Sequence, residues 1–326
     1  MRLVTRADFD GLVCGSLITL AEDVETYLFV EPKFMQDGQV EIRTGDIIAN
    51  LPYHPDCSLW FDHHITNEAH GFDKPIVPGR GGYRLAPSAA RVVYEYYELV
   101  ASSESRVPSP RPDSPKSKTH NSKIEVGLRI LNSDRMKFLL AETDKIDAGL
   151  HSIQDVLQPD GYVLISMTID GKNTEDEPYW LKLIRLLRDA PLDEVLGDRE
   201  VQQQCERILD RQGELGKVLQ EHACQKGNVI YLDLRGTKDV TEWNRFLLYT
   251  LFPKGNISLK LTDDTQRVNA TAISVGYNIF NTTSKVNVGA LMQKYGGGGH
   301  KVVGSCRVPK AEADKAAEEI LAAIKE

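Results

Sequence analysis

Three consecutive residues, Asp62-His63-His64, close the apolar run Leu59-Trp60-Phe61 and lead into the polar stretch Ile65-Thr66-Asn67-Glu68. One carboxylate and two imidazoles can hold a divalent cation or meet a phosphate. The apolar run reads as a buried strand, which places the triplet at a strand's C-terminal edge, where open α/β sheets bind ligands. A tripeptide alone is unspecific, so its company matters. Asp8-Phe9-Asp10-Gly11 follows the first strand, Asp46 stands in Thr44-Gly45-Asp46-Ile47, and Asp144 lies in Glu142-Thr143-Asp144-Lys145-Ile146-Asp147. Residues two apart in an extended loop can turn both carboxylates toward one pocket, and Gly11 permits tight entry into a helix. The ordinary alternative for Asp8 and Asp10 is a helix-capping acid beside a solvated one. Near the C-terminus, Gly296-Gly297-Gly298-Gly299-His300 could bring bare backbone N–H groups and an imidazole to a phosphate, or serve as a flexible joint. Arg245 and Arg267 are candidate phosphate clamps, with surface salt bridging as the default.

Composition narrows the function classes. A chain of 326 residues with 41% apolar residues is about two domains and can bury sizeable cores. No apolar run approaches the roughly 20 residues needed to span a bilayer. The start, Met1-Arg2-Leu3-Val4-Thr5, runs directly into a strand, leaving no room for a signal peptide. Five cysteines (Cys14, Cys57, Cys205, Cys224, Cys306) are scattered, without a CxxC spacing. That speaks against a disulfide framework or thiolate zinc site and for reduced, cytoplasmic thiols. The net charge is −8, from 39 Lys and Arg against 47 Asp and Glu. Proteins that track long nucleic acid usually show a basic face, so the acidic excess favours a small anionic substrate bound through cations.

The elements that must position these groups alternate as α/β through the first half. Strands are expected at Leu3–Thr5, Thr26–Val30, Val40–Arg43, Ser58–Phe61 and Tyr162–Met167, and helices at Leu12–Glu22, from Pro87-Ser88 through Tyr96, and at Lys123–Glu142. Such repetition predicts a mostly parallel, helix-covered sheet. Residues 102–121 hold six Ser, four Pro and Val107 as the sole aliphatic, and are expected to be a disordered surface insertion. Helices at Tyr179–Asp189 and Asp198–Gln225 read as a connector. A smaller α/β domain is expected from Gly227, with strands Val229–Leu234, Ile257–Leu261, Asn269–Val275 and Ser305–Val308. Its helices are expected at Thr241–Phe252, Val286–Tyr295 and Ala311–Lys325. The expected domains are 1–170, a helical connector at 171–226, and 227–326.

The triplet, the preceding Asp residues and the terminal Gly-rich run, in that order, resemble the DHH phosphoesterase superfamily with its DHH-associated C-terminal domain. The likeness runs from Asp8 to about Gly304 and is strongest to bacterial proteins labelled exopolyphosphatase-like, a label that does not establish a substrate. It implies an active site in the cleft between the two domains and a metal-dependent hydrolase. The substrate would be a short oligonucleotide, a nucleotide bisphosphate, a cyclic-dinucleotide product or polyphosphate. By that resemblance Asp8, Asp10, Asp46, His63 and Asp144 are metal ligands, with Asp46 bridging two ions; Asp37 competes for its place, and Asp147 is a capping or surface alternative. Asp62 would orient His63 or its neighbours, His64 would face the phosphate, and Gly297, Gly298, Gly299, His300 and Arg245 would bind substrate. The expected cofactor is Mn²⁺, one or two ions, with Mg²⁺ or Co²⁺ as substitutes. Expected partners are a small phosphorylated substrate, including a short single-stranded oligonucleotide, and no membrane; a homodimer is compatible.

One position departs from the family. Its first motif begins with a His two residues before the first Asp, and this chain has Arg6 there. A guanidinium has no acceptor and cannot ligate a metal. Three outcomes follow: a weakened first metal site, Arg6 itself contacting phosphate, or another His such as His54 completing the site; a weakened site with Arg6 near the phosphate is favoured, and the ordinary alternative is Arg6 pairing with a nearby Asp. The competing function is a nucleotide or phosphate sensor whose metal site has degraded.

Overall fold

The computed structural model describes residues 1–64, 76, 79–104, 127, 129–237, 244–264 and 267–326. The chain groups into two compact units, Met1–Leu150 with Asp160–Cys205, and His151–Pro159 with Glu206–Glu326.

The first unit is built on five parallel strands in the order β2-β1-β3-β4-β5. These are β1 (Arg2–Thr5), β2 (Thr26–Phe29), β3 (Asp46–Ala49), β4 (Leu59–Asp62) and β5 (Gly81–Tyr83). Leu3, Val4, Ile47, Ile48, Trp60 and Phe61 are buried, as expected where helices cover both faces of parallel strands. Three helices accompany them, α1 (Phe9–Ala21), the short α2 (Pro32–Gln36) and α3 (Ala89–Glu104). Next come α4 (Asp134–Asp147), α5 (Gly161–Met167), α6 (Glu177–Asp189) and α7 (Leu192–Gly197), and α8 (Arg199–His222) runs on beyond Cys205. All residues of α1 are buried. Its Gly15 leaves room for Ile184 of α6, and Ser16 Oγ donates to the Ile184 carbonyl at 2.9 Å. Thus α6, read as connector from sequence, packs on α1 within the first unit.

Two sequence expectations are corrected here. The third strand forms at Asp46–Ala49, not Val40–Arg43, because the run Ile47-Ile48-Ala49 is the segment that can be buried on both faces. Tyr162–Met167 lies in helix α5, not a strand; a short apolar run fits a buried helix as well as a strand, and tertiary packing decides. Strand β5 was not expected. At Gly81 φ is 73° and a Cβ would stand 2.2 Å from the Trp60 carbonyl oxygen, so this edge can form only around glycine. Of the predicted insertion at 102–121, residues 105–121 lie outside the described ones, and α3 continues through Glu104. The helix expected at Lys123–Glu142 is interrupted: residues 127 and 129–131 are helical, Asn132 and Ser133 break the run, and α4 begins anew, capped by Ser133, whose Oγ accepts from Met136 N–H; 123–126 and 128 lie outside the described residues.

The second unit carries a six-stranded sheet in the order β10-β11-β9-β8-β7-β6. Its strands are β6 (Ala223–Lys226), β7 (Val229–Asp233), β8 (Ile257–Asp263), β9 (Ala270–Tyr277), β10 (Gly298–Gly299) and β11 (Val303–Pro309). Of these strands only β7 and β8 pair in parallel. Helices α9 (Leu247–Leu251), α10 (Val288–Gln293) and α11 (Ala313–Ile324) belong to it, with the short helix Ile153–Leu157 and the part of α8 beyond Cys205. The helix expected from Thr241 to Phe252 is shorter: 241–243 lie outside the described residues, 244–246 form a turn, and α9 begins at Leu247. Val288 and Met292 of α10 and Ala317, Ile320 and Ile324 of α11 join Leu259, Ile273 and Val275 in one core. Among the described residues no helix is long and apolar enough to cross a membrane.

Trp60 anchors the core of the first unit. It is 2% exposed, donates Nε1–H to the Leu51 carbonyl at 2.9 Å, and meets Tyr53 edge-on. Trp60→Ala should lower stability by about 3–5 kcal/mol, read as a drop in the urea midpoint of unfolding. A change below about 1 kcal/mol would show that the sheet does not depend on this contact.

Candidate active site

In the order 2-1-3-4-5 the chain leaves β1 to one side for β2 and returns to the other for β3. The crevice between the C-terminal ends of β1 and β3 is the expected ligand position in such sheets. The β1 end carries Arg6, Asp8 and Asp10, the β3 end carries Asn50, and the β4 end carries Asp62, His63 and His64. The start of α3 and the last turn of α4 supply the remaining groups.

Asp10 lies in the first turn of α1 and is 2% exposed. The N–H groups of Ala89 and Ala90, at the start of α3, donate to its two oxygens at 2.8 Å each. A helix N-terminus suits a carboxylate. Even so, burial first, and then the charges of Asp147 and Asp8, push the Asp10 carboxyl well above the usual range despite those amides. A cation among the three acids would reverse that balance.

His63 supplies the nitrogen such a cation needs. Its Nδ1 lies 3.0 Å from the Ala86 carbonyl, so Nδ1 donates, which in the neutral ring places the lone pair on Nε2. Nε2 is buried without a hydrogen-bond partner, 3.3 Å from Asp147 Oδ2 and 3.8 Å from Asp10 Oδ2. Ligand atoms of Asp10, His63 and Asp147 all lie within 4.8 Å of one another. Two carboxylates and an imidazole suit Mn²⁺, Fe²⁺, Co²⁺ or Zn²⁺, and the orphaned buried nitrogen indicates that the residues fit such an ion. Cys14 Sγ lies 3.9 Å from Asp10 Oδ1, and burial, with Asp10 beside it, pushes the thiol well up.

Asp62 Oδ1 accepts from the His63 N–H at 2.8 Å and meets His64 Nδ1 at 2.7 Å. The imidazole it steers is therefore His64. Burial works against protonation of His64, but the hydrogen bond and charge of Asp62 overcome it and raise its pKa. A protonated, partly exposed imidazole can donate to a phosphate oxygen.

Asp8 caps α1, its Oδ1 accepting from Gly11 N–H at 2.9 Å and from Asn50 Nδ2 at 2.9 Å. Its Oδ2 stands 3.1 Å from Arg6 Nη1. Asp8 and Arg6 thus form an ion pair at the crevice.

Two expected ligands lie elsewhere. Asp46 opens β3 at the N-terminal end of the central strands, away from the crevice and level with Arg2, whose Nε and Nη2 reach its two oxygens at 3.0 and 2.5 Å. The reason is the strand correction above: with β3 at Asp46–Ala49, the residue delivered to the crevice is Asn50. Asp144 is held by Ser88 Oγ at 2.7 Å and by Arg91, and Asp147 takes the place beside His63. Helical phase could have found Asp147, because it follows the buried Thr143 by four residues, in the centre of the stripe Met136, Leu139, Leu140 and Thr143, with Asp144 to one side. For Asn50 the signal was the apolar run before it. The holding groups at Ala86, Ala89 and Ala90 act through backbone atoms, which leave no mark on residue type.

The glycine run of the second unit is a tight hairpin. Gly298 and Gly299 pair antiparallel with Ser305 and Gly304, and His300 N–H donates to the Val303 carbonyl at 2.7 Å. A Cβ at Gly297 would stand 2.1 Å from the Ser305 carbonyl oxygen; one at Gly299, where φ is 149°, would stand 2.3 Å from that of Val303. Arg245 is exposed, its guanidinium 4.8 Å above the Phe246 ring, and Arg267 is exposed as well.

No protein-family model matches the chain, and no curated protein matches it in sequence. Among solved structures it is similar to the pGpG-specific phosphodiesterase PggH from Vibrio cholerae, at 30% identity and TM-score 0.75, over 99% of this chain and 98% of that one. It shares its fold with a DHH-domain member of the s1p family of ribosomal proteins, at 11% identity and TM-score 0.51, over 100% and 87% of the chains. The same holds for the Mn²⁺ complex of RecJ from Thermus thermophilus, at 16% identity and TM-score 0.50, over 99% of this chain and 52% of that one.

The two competing aspartates can be separated by metal binding. Asp147→Asn should weaken Mn²⁺ binding by about tenfold or more in a calorimetric titration, whereas Asp144→Asn should leave it within about threefold. The opposite ranking would return the ligand role to Asp144.

Proposed function

Because this chain belongs to the DHH phosphoesterase superfamily and is a metal-dependent phosphoesterase, we propose that it hydrolyses the phosphodiester bond of a short 5′-phosphorylated oligonucleotide of the pGpG type. Water adds across the P–O bond, so that pGpG and H₂O give two molecules of GMP. The observation that carries this reading is the buried, unpartnered Nε2 of His63 facing Asp10 and Asp147. The substrate class is supported by the similarity to PggH over nearly the whole of both chains.

A divalent ion, Mn²⁺ foremost, held by Asp10, His63 and Asp147, would supply Lewis-acid activation of water and neutralise charge at phosphorus. The chain's own groups have separate tasks. The Ala86 carbonyl fixes the His63 tautomer, and the α3 amides fix the Asp10 carboxylate. Asp62 keeps His64 oriented and favours its protonated form, which can donate to the phosphate or to the departing oxygen. Arg6 lends a fixed positive charge. In the second unit, Gly297, Gly298, Gly299, His300 and Arg245 are proposed to bind substrate. A cytoplasmic setting belongs to this reading, consistent with five free cysteines.

The Arg6–Asp8–Asn50 contacts favour the competing reading of a nucleotide sensor with a degraded metal site. Turnover decides between them. With Mn²⁺, the purified chain should convert pGpG to GMP on ion-pair chromatography, and His63→Ala should lower kcat by about a thousandfold with the fold intact by circular dichroism. Tight pGpG binding without GMP release would establish the sensor.

A further inference from the structure

We propose that Arg6 and Asn50 replace one of two cations at this site, so that the protein works with a single divalent ion at Asp10, His63 and Asp147. The proposal rests on the metal-dependent reading above. The superfamily resemblance implies a first ion held by a His at position 6, Asp8 and a bridging carboxylate. The residues present do not fit that ion.

Three observations agree. Position 6 carries a guanidinium, which offers no lone pair and stands 3.1 Å from Asp8 Oδ2. Asp8 Oδ1 already accepts from both Gly11 N–H and Asn50 Nδ2 at 2.9 Å, so an incoming cation would have to displace donors. At the end of β3, between the contributions of β1 and β4, stands a neutral amide where a bridging carboxylate would be needed.

Asn50 is not placed there loosely. It is 1% exposed, and its φ of 57° is a left-handed conformation that asparagine tolerates better than most residues. Its Oδ1 is buried without a hydrogen-bond partner, but an amide oxygen carries no net charge to offset a second dication. Arg6 is held from the other side by Glu31, 3.7 Å from Nη2, yet its side chain remains 39% exposed. A guanidinium fixed in this way is a permanent cation with donors suited to phosphate oxygens. His54 does not complete the site; its Nδ1 accepts from the Asp56 backbone N–H at 3.3 Å, in the loop between β3 and β4.

The test is a count of Mn²⁺ on the full chain. Calorimetric titration, elemental analysis after desalting, and electron paramagnetic resonance should give one ion per wild-type chain and the six-line signal of an isolated Mn²⁺. The double variant R6H/N50D should hold two ions per chain and lose the six-line signal to exchange coupling. Two ions on the wild-type chain would overturn the proposal while leaving the phosphoesterase reading intact, and that measurement does not depend on whether the variant folds. One ion on a folded double variant would also overturn it. A wild-type chain that holds none and does not release GMP would sink the phosphoesterase reading, and this inference with it.

Discussion

A carboxylate buried at the start of a helix is the interaction on which the first unit is organised. Asp10 cannot stay ionised inside the protein unless something positive faces it, and the α3 amides alone do not overcome its burial and its acidic neighbours. The surroundings meet that constraint from several elements at once. α1 presents the acid, α3 caps it, β4 brings an imidazole whose Nε2 is turned inward, and α4 ends on a second carboxylate. These pieces come from positions as distant in sequence as 10 and 147, so the site exists only when the sheet is assembled.

Next to it, Asp8 meets the same constraint differently. Its charge is balanced within the chain, by Arg6 and by neutral donors from Gly11 and Asn50. Two acids two residues apart therefore have opposite electrostatic fates. One is left with a deficit that an ion can fill, and the other is already compensated. The difference arises from what the neighbouring strand ends deliver to each carboxylate.

The second unit shows a different use of sequence. Its glycine run reads as either a joint or an anion loop, yet the chain there is an ordered hairpin in which backbone passes backbone too closely for any side chain. Close packing therefore requires glycine at Gly297 and Gly299 whether or not a ligand is bound.

By itself, the sequence determined the fold class, the strand carrying the Asp62-His63-His64 triplet, and the roles open to each residue type. The run Leu59-Trp60-Phe61 is short, rich in aromatics and flanked by polar residues, which favours a buried strand over a helix, and the carboxylate and imidazoles at its end are legible from position. The anomaly of Arg6 was likewise visible, because a guanidinium's chemistry does not depend on context. Tertiary structure decided which acids converge. A shift of β3 by a few residues exchanges Asp46 for Asn50 at the crevice, and a rotation of α4 by about 60° exchanges Asp144 for Asp147. Local pattern leaves those choices open, because strand register and helix rotation are fixed by packing against neighbours remote in sequence, and those contacts form only in the assembled core.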